Sequence, residues 1–369
     1  MAKSLKVLRI FGIDVRLHYS WWFIFLLLTW SLATAYFPEF YQDASSLTYW
    51  LMGLSAAVLL FLSVLLHELS HSMVARAKNI KVESITLFFF GGVAGITKED
   101  MKPSSEFLMA IAGPLFSLFL GVIFFLIHTY NGNGIVSAIT QYLYQLNFIL
   151  AAFNLVPGFP LDGGRAFRAI LYAYYKDLRK ATKIASTVGK IFAAFLIIIG
   201  VVGIFSNQGG GLWFILIGGF LYFIAGVSYQ QVLVRQVLSK IKVSKLMNKK
   251  FKTLSPKMKL DTFMKSNPEK ESYIVQGKGF KGILDLQALE TLPSTLQQVV
   301  KLEQISRPLS QIKTLSKNET AYQAFRKIAL QKLSAIPVVE KGKVVGIVTA
   351  KSIQNQLVLG MAFGKNIKR

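Results

Sequence analysis

The sequence predicts a polytopic α-helical membrane protein with a smaller α/β domain at its C-terminus. Hydrophobic residues make up 53% of the 369 residues and charged residues only 16%, a composition typical of integral membrane proteins. Apolar runs about as long as a bilayer is thick recur through the first two-thirds of the chain. After about residue 235 the chain becomes charged and contains an internal repeat. We therefore expect a membrane domain at residues 1–235 and a second domain at residues 236–369.

Six apolar runs are predicted to cross the membrane as helices. They lie at about residues 21–37, 48–76, 106–128, 135–154, 187–205 and 211–230. Lysine and arginine cluster before the first run and after the second, fourth and sixth. The positive-inside rule therefore places both termini and the C-terminal domain in the cytoplasm of a multi-pass protein of the cell membrane. The first run is long and lacks a small-residue cleavage site, so we expect no cleavable signal peptide.

The second run contains a His-Glu-x-x-His sequence, in which His67, Glu68 and His71 are the polar positions of interest. On a helix the two histidines lie one turn apart on the same face, where two imidazoles can hold one Zn²⁺. Glu68 can then act as general base toward a metal-bound water. In a soluble protein this pattern arises by chance on surface helices. Within a membrane span it would leave three polar groups uncompensated in hydrocarbon, which favours a functional site.

A catalytic zinc keeps three protein ligands and one open position, so a third ligand is expected. Asp162 is the first candidate, because it lies at the cytoplasmic end of the fourth run, where prolines and glycines end the helix. The competing interpretation of Asp162 is a turn or helix-capping aspartate. His18, just before the first run, is a second candidate, either as a ligand or as a group that gates substrate entry. His128 lies at the outer end of the third run, on the wrong side.

This set of residues predicts hydrolysis of a peptide bond. Zinc lowers the pKa of its bound water, and Glu68 accepts the proton as the resulting hydroxide attacks a peptide carbonyl. The negative charge that develops on the carbonyl oxygen needs a hydrogen-bond donor, and Asn154 lies at a suitable depth. An equal alternative for Asn154 is to bond backbone carbonyls that Pro157 leaves free. The expected cofactor is one Zn²⁺ per chain.

Two stretches outside the helices are predicted to form strands. Residues 1–20 alternate apolar and charged residues, as short amphipathic strands at a membrane interface do. Residues 84–96 are apolar but too short to cross as a helix, and Gly91-Gly92 between β-branched and aromatic residues favours a hairpin. Such backbone is tolerated at membrane depth only where protein or water covers it. The hairpin either dips toward the metal and presents a strand edge there, or lies in the cytoplasm.

Composition excludes several kinds of site. The absence of cysteine excludes disulfides, thiolate zinc ligands and a cysteine nucleophile. The formal net charge of +24 could indicate a nucleic-acid-binding protein. However, lysine and arginine cluster between apolar runs and in the C-terminal third, as the positive-inside rule and an anionic lipid surface favour. We therefore expect the lipid bilayer, and no nucleic acid, as a partner.

Four motifs in this order resemble those of the site-2 proteases, which are intramembrane zinc metalloproteases. They are His67-Glu68-Leu69-Ser70-His71, Phe90-Gly91-Gly92-Val93-Ala94, Ala112-Gly113-Pro114, and Asn154-Leu155-Val156-Pro157 with Pro160-Leu161-Asp162-Gly163-Gly164. The resemblance covers nearly the whole chain and is greatest to the six-span prokaryotic branch with CBS domains. It implies zinc ligation by His67, His71 and Asp162. It further implies Glu68 as catalytic base and Asn154 in substrate binding or oxyanion stabilisation.

The resemblance also implies the substrate, a transmembrane helix of a membrane-anchored regulatory protein already trimmed by another protease. The unwound helix would pair with the glycine hairpin as an added strand, because a peptide carbonyl is inaccessible inside an intact helix. One alternative function is a catalytically inactive membrane adaptor of the same fold, although an adaptor needs no base at Glu68. A zinc transporter is a further alternative, but it would need more ionisable residues along a path through several spans.

The C-terminal repeat resembles a tandem pair of CBS domains, at about residues 243–300 and 303–365. Each unit is expected to run strand, helix, strand, strand, helix. The resemblance implies that such domains often bind adenine nucleotides. Here Ala288 and Ser352 occupy the position of the aspartate that holds the ribose. This departure argues against binding of an adenine nucleotide. A homodimer contact or a lid is at least as well supported as a role for this pair of domains.

Overall fold

The computed structural model describes residues 4–89, 91–96, 101–206, 210–266, 272–286 and 300–363. These residues form two compact units, Met1–Tyr229 and Gln230–Arg369. In the described part of the chain, six helical segments are long and apolar enough to cross a membrane. The predicted fold class is therefore confirmed, and the six segments coincide with the six predicted runs to within a few residues at most of their ends.

The first unit combines these helices with a small sheet. The first span is one continuous segment, in which α1 passes through a π-helical turn at Leu32–Tyr36 into α2. The elements in chain order are β1 (Ser4–Ile10), β2 (Ile13–His18), α1 (Tyr19–Ser31), α2 (Phe37–Phe40), α3 (Ser46–Ala77), β3 (Val82–Phe88), β4 (Gly91–Ile96), α4 (Pro103–Tyr130), α5 (Ile135–Asn154), α6 (Asp162–Tyr175), α7 (Leu178–Phe205) and α8 (Gly211–Leu238).

Helix α3 is longer than a bilayer is thick. Its 32 residues extend about 48 Å at 1.5 Å per residue, against about 30 Å of hydrocarbon. Ser45 begins the helix by accepting a hydrogen bond from the backbone N–H of Thr48. The His-Glu-x-x-His sequence lies in the last third of the helix, ahead of the polar end at Arg76. This placement fits a site in the half of the membrane nearer the end of α3.

The two predicted strand regions join into one four-stranded sheet with the order β1-β2-β3-β4. Strands β2 and β3 are parallel, with Asp14 beside Ser84, whereas the other neighbours are antiparallel. The hairpin predicted at residues 84–96 is present as β3 and β4, but it is extended by the N-terminal strands rather than standing alone. Within the described residues, β4 is an outer strand of the sheet. Its edge away from β3 is therefore open to a further strand.

The Pro- and Gly-rich stretch after α5 breaks the helix, as predicted. Residues 155–161 form a tight irregular connection with a cis peptide bond before Pro160. A Cβ added to Gly189 of α7 would lie closer than 3.0 Å to backbone atoms of Phe159, so this connection packs directly on the α7 backbone. Helix α6 follows and begins at Asp162. It is amphipathic and 14 residues long, and no apolar run in the sequence predicted it.

The second unit is an α/β structure that follows α8. Its strands form a four-stranded sheet, β5-β6-β7-β8, and an antiparallel pair, β9-β10. The elements after α8 are α9 (Val243–Leu246), β5 (Thr253–Leu254), α10 (Leu260–Lys265), β6 (Ser272–Gly277), β7 (Phe280–Asp285), α11 (Leu302–Ile305), β8 (Arg307–Pro308), α12 (Ala321–Gln331), β9 (Ala335–Glu340), β10 (Lys343–Thr349) and α13 (Ala350–Phe363). The hairpins β6-β7 and β9-β10 correspond to the two halves of the predicted repeat.

A shared core holds the two repeats together. It includes Ile274 and Ile283 of the first hairpin and Ile336 and Val348 of the second, all buried. Asp285 at the end of β7 accepts hydrogen bonds of 2.7 and 2.8 Å from the backbone N–H and hydroxyl of Ser334. The second predicted helix of the first repeat, which would contain Ala288, lies outside the described residues.

Candidate metal centre

Three predicted ligands, His67, His71 and Asp162, converge in the first unit. The two histidines are buried on α3, and Asp162 is the first residue of α6. Asp162 Oδ2 lies 3.2 Å from Nε2 of His67 and 3.1 Å from Nε2 of His71, and the two Nε2 atoms are 3.2 Å apart. Burial opposes ionisation of Asp162, but the interactions of its carboxyl with both imidazoles and with the charge of Arg165 hold its pKa below the usual range.

Helix α4 orients both imidazoles through their other nitrogens. The Nδ1–H of His71 donates to the backbone carbonyl of Met109 at 2.6 Å. Nδ1 of His67 is hydrogen-bonded to the hydroxyl of Ser117 at 2.8 Å. Because each Nδ1 is engaged, each Nε2 faces Asp162 and is the nitrogen available to a metal.

Gly113 makes this contact between α3 and α4 possible. It lies on α4 one turn after Met109 and one turn before Ser117, on the face that meets the histidines. A Cβ added to Gly113 would lie closer than 3.0 Å to Nε2 of both His67 and His71. Neither imidazole can retreat easily, because each is tied to α4 by its own Nδ1 hydrogen bond. Glycine at this position is therefore required by the site itself.

The donor set fits a zinc ion. Two neutral imidazole nitrogens and one carboxylate oxygen are a common set of protein ligands for catalytic zinc, with one position left open. Ligands about 2.0–2.1 Å from a tetrahedral ion are about 3.3 Å from one another. The three donor-to-donor distances of 3.1–3.2 Å lie close to that value. His67, His71 and Asp162 could therefore hold Zn²⁺ with little rearrangement.

Glu68 lies next to this cluster and packs against strand β4. It follows His67 on α3 and is half-buried. A Cβ added to Gly92 would lie closer than 3.0 Å to Cγ and Cδ of Glu68, so a larger residue there would displace the Glu68 carboxylate from its present position. The outer strand of the sheet therefore passes directly beside the carboxylate predicted to act as base. Of the hairpin motif, Phe90 lies outside the described residues.

The remaining candidates lie in different settings. Asn154 is the last residue of α5 and is half-buried, and the next residue, Leu155, has its carbonyl against the backbone of Gly163, beside Asp162. His18 caps α1, where its Nδ1 is hydrogen-bonded to the backbone N–H and hydroxyl of Ser20. It does not belong to the group of three that could hold a metal. His128, at the end of α4, is hydrogen-bonded to Ser137.

A buried ion pair joins α4 to α6. Glu106, in the first turn of α4, is only 3% exposed. Its carboxylate is bonded to the guanidinium of Arg168, with Nε of Arg168 at 2.9 Å and Nη2 closer still. Arg168 also stacks over the ring of Phe159, 4.8 Å from its centroid. The helix that carries Asp162 is thus fastened to the helix that orients the two histidines.

The sequence did not reveal the role of these supporting residues. Ser117 is a single hydroxyl in an apolar run, and Gly113 stood out only as part of the Ala112-Gly113-Pro114 motif. Their spacing of four residues was a usable signal, since it places both on the same face of a helix. Glu106 and Arg168 are 62 residues apart, and no local pattern connects them.

Two family models match this chain, and relatives match it over nearly its whole length. The model of peptidase family M50 matches residues 55–139 and 128–199, and that of the CBS domain matches residues 302–358. The chain is 33% identical to zinc metalloprotease sll0528 of Synechocystis, over 96% of this chain and 95% of that protein. It is 32% identical to zinc metalloprotease Rip3 of Mycobacterium tuberculosis, over 96% of this chain and 92% of that protein. Among solved structures, the site-2 protease from Methanocaldococcus jannaschii matches with 32% identity and a TM-score of 0.42, over 62% of this chain and 95% of that one.

Replacement of Gly113 by alanine is predicted to abolish metal retention. The added methyl group occupies the space of both Nε2 atoms, so we expect zinc per purified chain to fall about tenfold or more. Gly219→Ala in α8 is the matched control, because a Cβ there meets nothing within 4 Å. Elemental analysis of both purified variants measures the effect. Equal zinc in G113A, G219A and the unmodified chain would contradict the prediction.

Removal of Arg168 alone is predicted to destabilise the first unit. R168M leaves the buried Glu106 carboxylate without its counter-charge, which costs about 3–5 kcal/mol. The double variant E106Q/R168M removes both charges and should recover most of that loss. Thermal unfolding in detergent measures both variants. A double variant no more stable than R168M would show that the unpaired charge is not the cause.

Proposed function

Because this chain belongs to peptidase family M50, the site-2 protease family, we propose that it hydrolyses a peptide bond within or near the transmembrane helix of a membrane-anchored regulatory protein. The chain is a multi-pass membrane protein, and the relatives that cover nearly all of it are named zinc metalloproteases. One observation carries the proposal. The two histidines of a His-Glu-x-x-His sequence inside a membrane helix meet an aspartate from a distant part of the chain, with donor distances suited to zinc.

We propose one zinc per chain, held by Nε2 of His67, Nε2 of His71 and Oδ2 of Asp162. Bound zinc supplies a Lewis acid that makes a coordinated water acidic near neutral pH and polarises a carbonyl. The chain itself supplies the orientation of the ligands. Ser117 and the Met109 carbonyl fix the imidazoles, and the hydrogen bond to Met109 keeps the proton of His71 on Nδ1.

Glu68 is proposed to move the proton in both halves of the reaction. It accepts a proton from the attacking water as the new C–O bond forms at the carbonyl carbon. It then returns that proton to the nitrogen of the scissile bond as the C–N bond breaks, which yields a carboxylic acid and an amine; the second proton of the water then passes from the acid to the amine, giving a carboxylate and an ammonium group. Its packing against Gly92 supports this role, since the strand limits the positions that the carboxylate can take.

Asn154 is proposed to donate a hydrogen bond to the substrate or to the oxygen that becomes negative. Its side-chain amide is a suitable donor, and Asn154 ends α5 at the point where the chain turns toward Asp162. The contact between the Leu155 carbonyl and Gly163 supports the placement, because it keeps the end of α5 close to the start of α6.

The substrate is proposed to bind as a strand along β4. A membrane helix satisfies all of its own backbone hydrogen bonds, so it must unwind before water can reach a carbonyl. The backbone groups released on unwinding need new partners, and an outer strand offers a row of them. Because β4 passes beside Glu68, a strand added there would have its carbonyls near the base.

The remaining proposals concern orientation and the second unit. Both termini and the CBS unit are proposed to be cytoplasmic, on the basis of lysine and arginine placement. We propose a homodimer contact or a lid as the role of the CBS unit rather than adenine nucleotide binding. Thr349 and Ser352 support this, since each side chain bonds the other's backbone N–H at the start of α13 and is engaged in capping.

Two variants separate the base from the ligands. Glu68→Gln should keep one zinc per chain and lower cleavage by about 10²–10⁴-fold, since only the proton acceptor is lost. Asp162→Asn should lose zinc and activity together. A substrate captured by crosslinking to E68Q in native membranes can be identified by mass spectrometry, and its cleavage can then be followed on immunoblots. Unchanged cleavage by E68Q would overturn the mechanism. If the unmodified chain binds zinc but cleaves none of the captured proteins, the alternative of an inactive adaptor would be favoured.

Asn154→Leu distinguishes the two roles considered for that residue. Loss of an oxyanion donor should lower kcat by about 10²–10³-fold while zinc content and thermal stability stay close to those of the unmodified chain. A residue that only bonds backbone carbonyls would instead lower the melting temperature and leave kcat of the folded fraction unchanged. Kinetics on the identified substrate, together with thermal unfolding, decide between them.

A further inference from the structure

The turn of the β3-β4 hairpin is bonded to the beginning of α1. The backbone N–H of Phe89, the first residue after β3, donates to the hydroxyl oxygen of Ser20 at 3.2 Å. The ring of Phe89 also stacks with that of Phe23, one turn further along α1, with the ring centroids 6.1 Å apart. We name these two contacts, from Ser20 and Phe23 to Phe89, the α1 clamp.

Ser20 replaces a strand partner that the sheet does not supply at this point. Strands β2 and β3 run parallel, and their pairing ends at Leu17 and Leu87. The chain of β2 then enters α1 at Tyr19, whereas the chain of β3 continues to the turn at Phe89. A backbone N–H that is buried without a partner is costly. The Ser20 hydroxyl therefore satisfies the N–H of Phe89 where β2 has already ended.

His18 orients this hydroxyl. Its Nδ1 lies 2.8 Å from Oγ of Ser20 and accepts the backbone N–H of Ser20 at 3.3 Å. Because the oxygen of Ser20 accepts a hydrogen bond from Phe89, its hydrogen is left to donate to Nδ1 of His18. The histidine that does not join the metal ligands thus has a role of its own, since it directs Ser20 toward the hairpin.

The α1 clamp holds the part of the hairpin that is nearest to the metal centre. Across the hairpin, Phe88 pairs with Gly91 and Leu87 with Gly92. Gly92 is the residue whose backbone lies beside Glu68. A displacement of the turn would therefore be passed over one pair of residues to Gly92, and the strand would shift relative to Glu68.

We propose that Ser20 is a positioning residue, which is directed by His18 and holds β4 where a substrate strand can be added beside Glu68. This inference rests on the proposed function, because it concerns the strand along which the substrate is proposed to bind. A strand that is fixed in advance has less conformational freedom to lose when the substrate binds. The α1 clamp should therefore lower KM, and it should leave kcat nearly unchanged.

Amide hydrogen exchange of the full chain in nanodiscs tests the α1 clamp without any substrate. Ser20→Ala removes the acceptor of the Phe89 N–H, so peptides that contain the hairpin turn and β4 should exchange about tenfold faster. Thr34→Val is the matched control. It also removes one hydroxyl from the first span, but that hydroxyl bonds the carbonyl of Trp30 in its own segment. Equal exchange of the hairpin in S20A and T34V would contradict the proposal.

Kinetics on the substrate captured with E68Q separate positioning from catalysis. S20A should raise KM about tenfold and change kcat by less than about twofold. His18→Leu should behave like S20A, whereas His18→Asn should keep KM near that of the unmodified chain, because asparagine supplies a capping acceptor. An unmodified chain without activity counts against the proposed function. An active unmodified chain with equal KM in S20A counts against the α1 clamp alone.

A disulfide can replace the α1 clamp, because the chain has no cysteine of its own. The contact of 3.2 Å between Oγ of Ser20 and the nitrogen of Phe89 places the two α-carbons within about 7 Å, which a disulfide can span. S20C/F89C should have the high KM of S20A when reduced and regain the KM of the unmodified chain when oxidised. Neither single variant should respond to oxidant. The proposal is wrong if the disulfide does not form, or if its formation leaves KM high or stops cleavage.

Discussion

The arrangement of the site depends on how closely α4 packs against the imidazoles of α3. Both histidines are buried in a part of the molecule where water is scarce, so every polar nitrogen needs a partner. Helix α4 provides those partners from two turns that lie on either side of Gly113, with the Met109 carbonyl in one and the Ser117 hydroxyl in the other. The turn between them must then contribute nothing but backbone, which is why Gly113 stands there. Two partners and a gap on one helix face together determine where each Nε2 points.

The same helix also determines where the third ligand lies. Asp162 begins α6, and Arg168 on that helix is paired with Glu106 of α4. Glu106 is three residues before Met109 on α4, so the ion pair and the histidine contacts refer to the same rigid element. Glu106 is only 3% exposed, so its carboxylate would destabilise the fold if it had no counter-charge. Its pairing with Arg168 therefore fixes the position of α6 relative to α4. The three proposed ligands are therefore all held in place by α4. The two histidines bond to it directly, and Asp162 is positioned through the ion pair between α6 and α4.

The sequence predicted those parts of the molecule that follow from local periodicity. His67 and His71 are on one face because they are four residues apart, and the spans follow from runs of apolar residues. Asp162 followed from the need for an oxygen or nitrogen ligand at the depth of the two histidines. The structure brings it to both imidazoles, whereas His18 caps a helix. The supporting residues were not reached, because their partners are distant in sequence. The same holds for the sheet, in which β2 pairs with β3 across about 70 residues and only the two local hairpins have a sequence signature. Helix α6 was missed because it is amphipathic and too short to span.

The position of β4 links the sheet to the chemistry proposed for Glu68. A sheet beside a membrane helix is an unusual neighbour, because an outer strand leaves backbone groups unpaired that lipid cannot satisfy. Those groups are tolerable where protein or water covers them, and Glu68 with the polar cluster beneath it provides such a setting. An unwound substrate has the complementary need, since its own backbone groups have lost their helical partners. Gly92 brings the strand close to Glu68, the proposed base, so that one position could serve both needs, and a side chain there would displace the Glu68 carboxylate. The glycine in the strand and the glycine in α4 thus act alike: each leaves out a side chain beside a group that is proposed to move a proton or to bind metal.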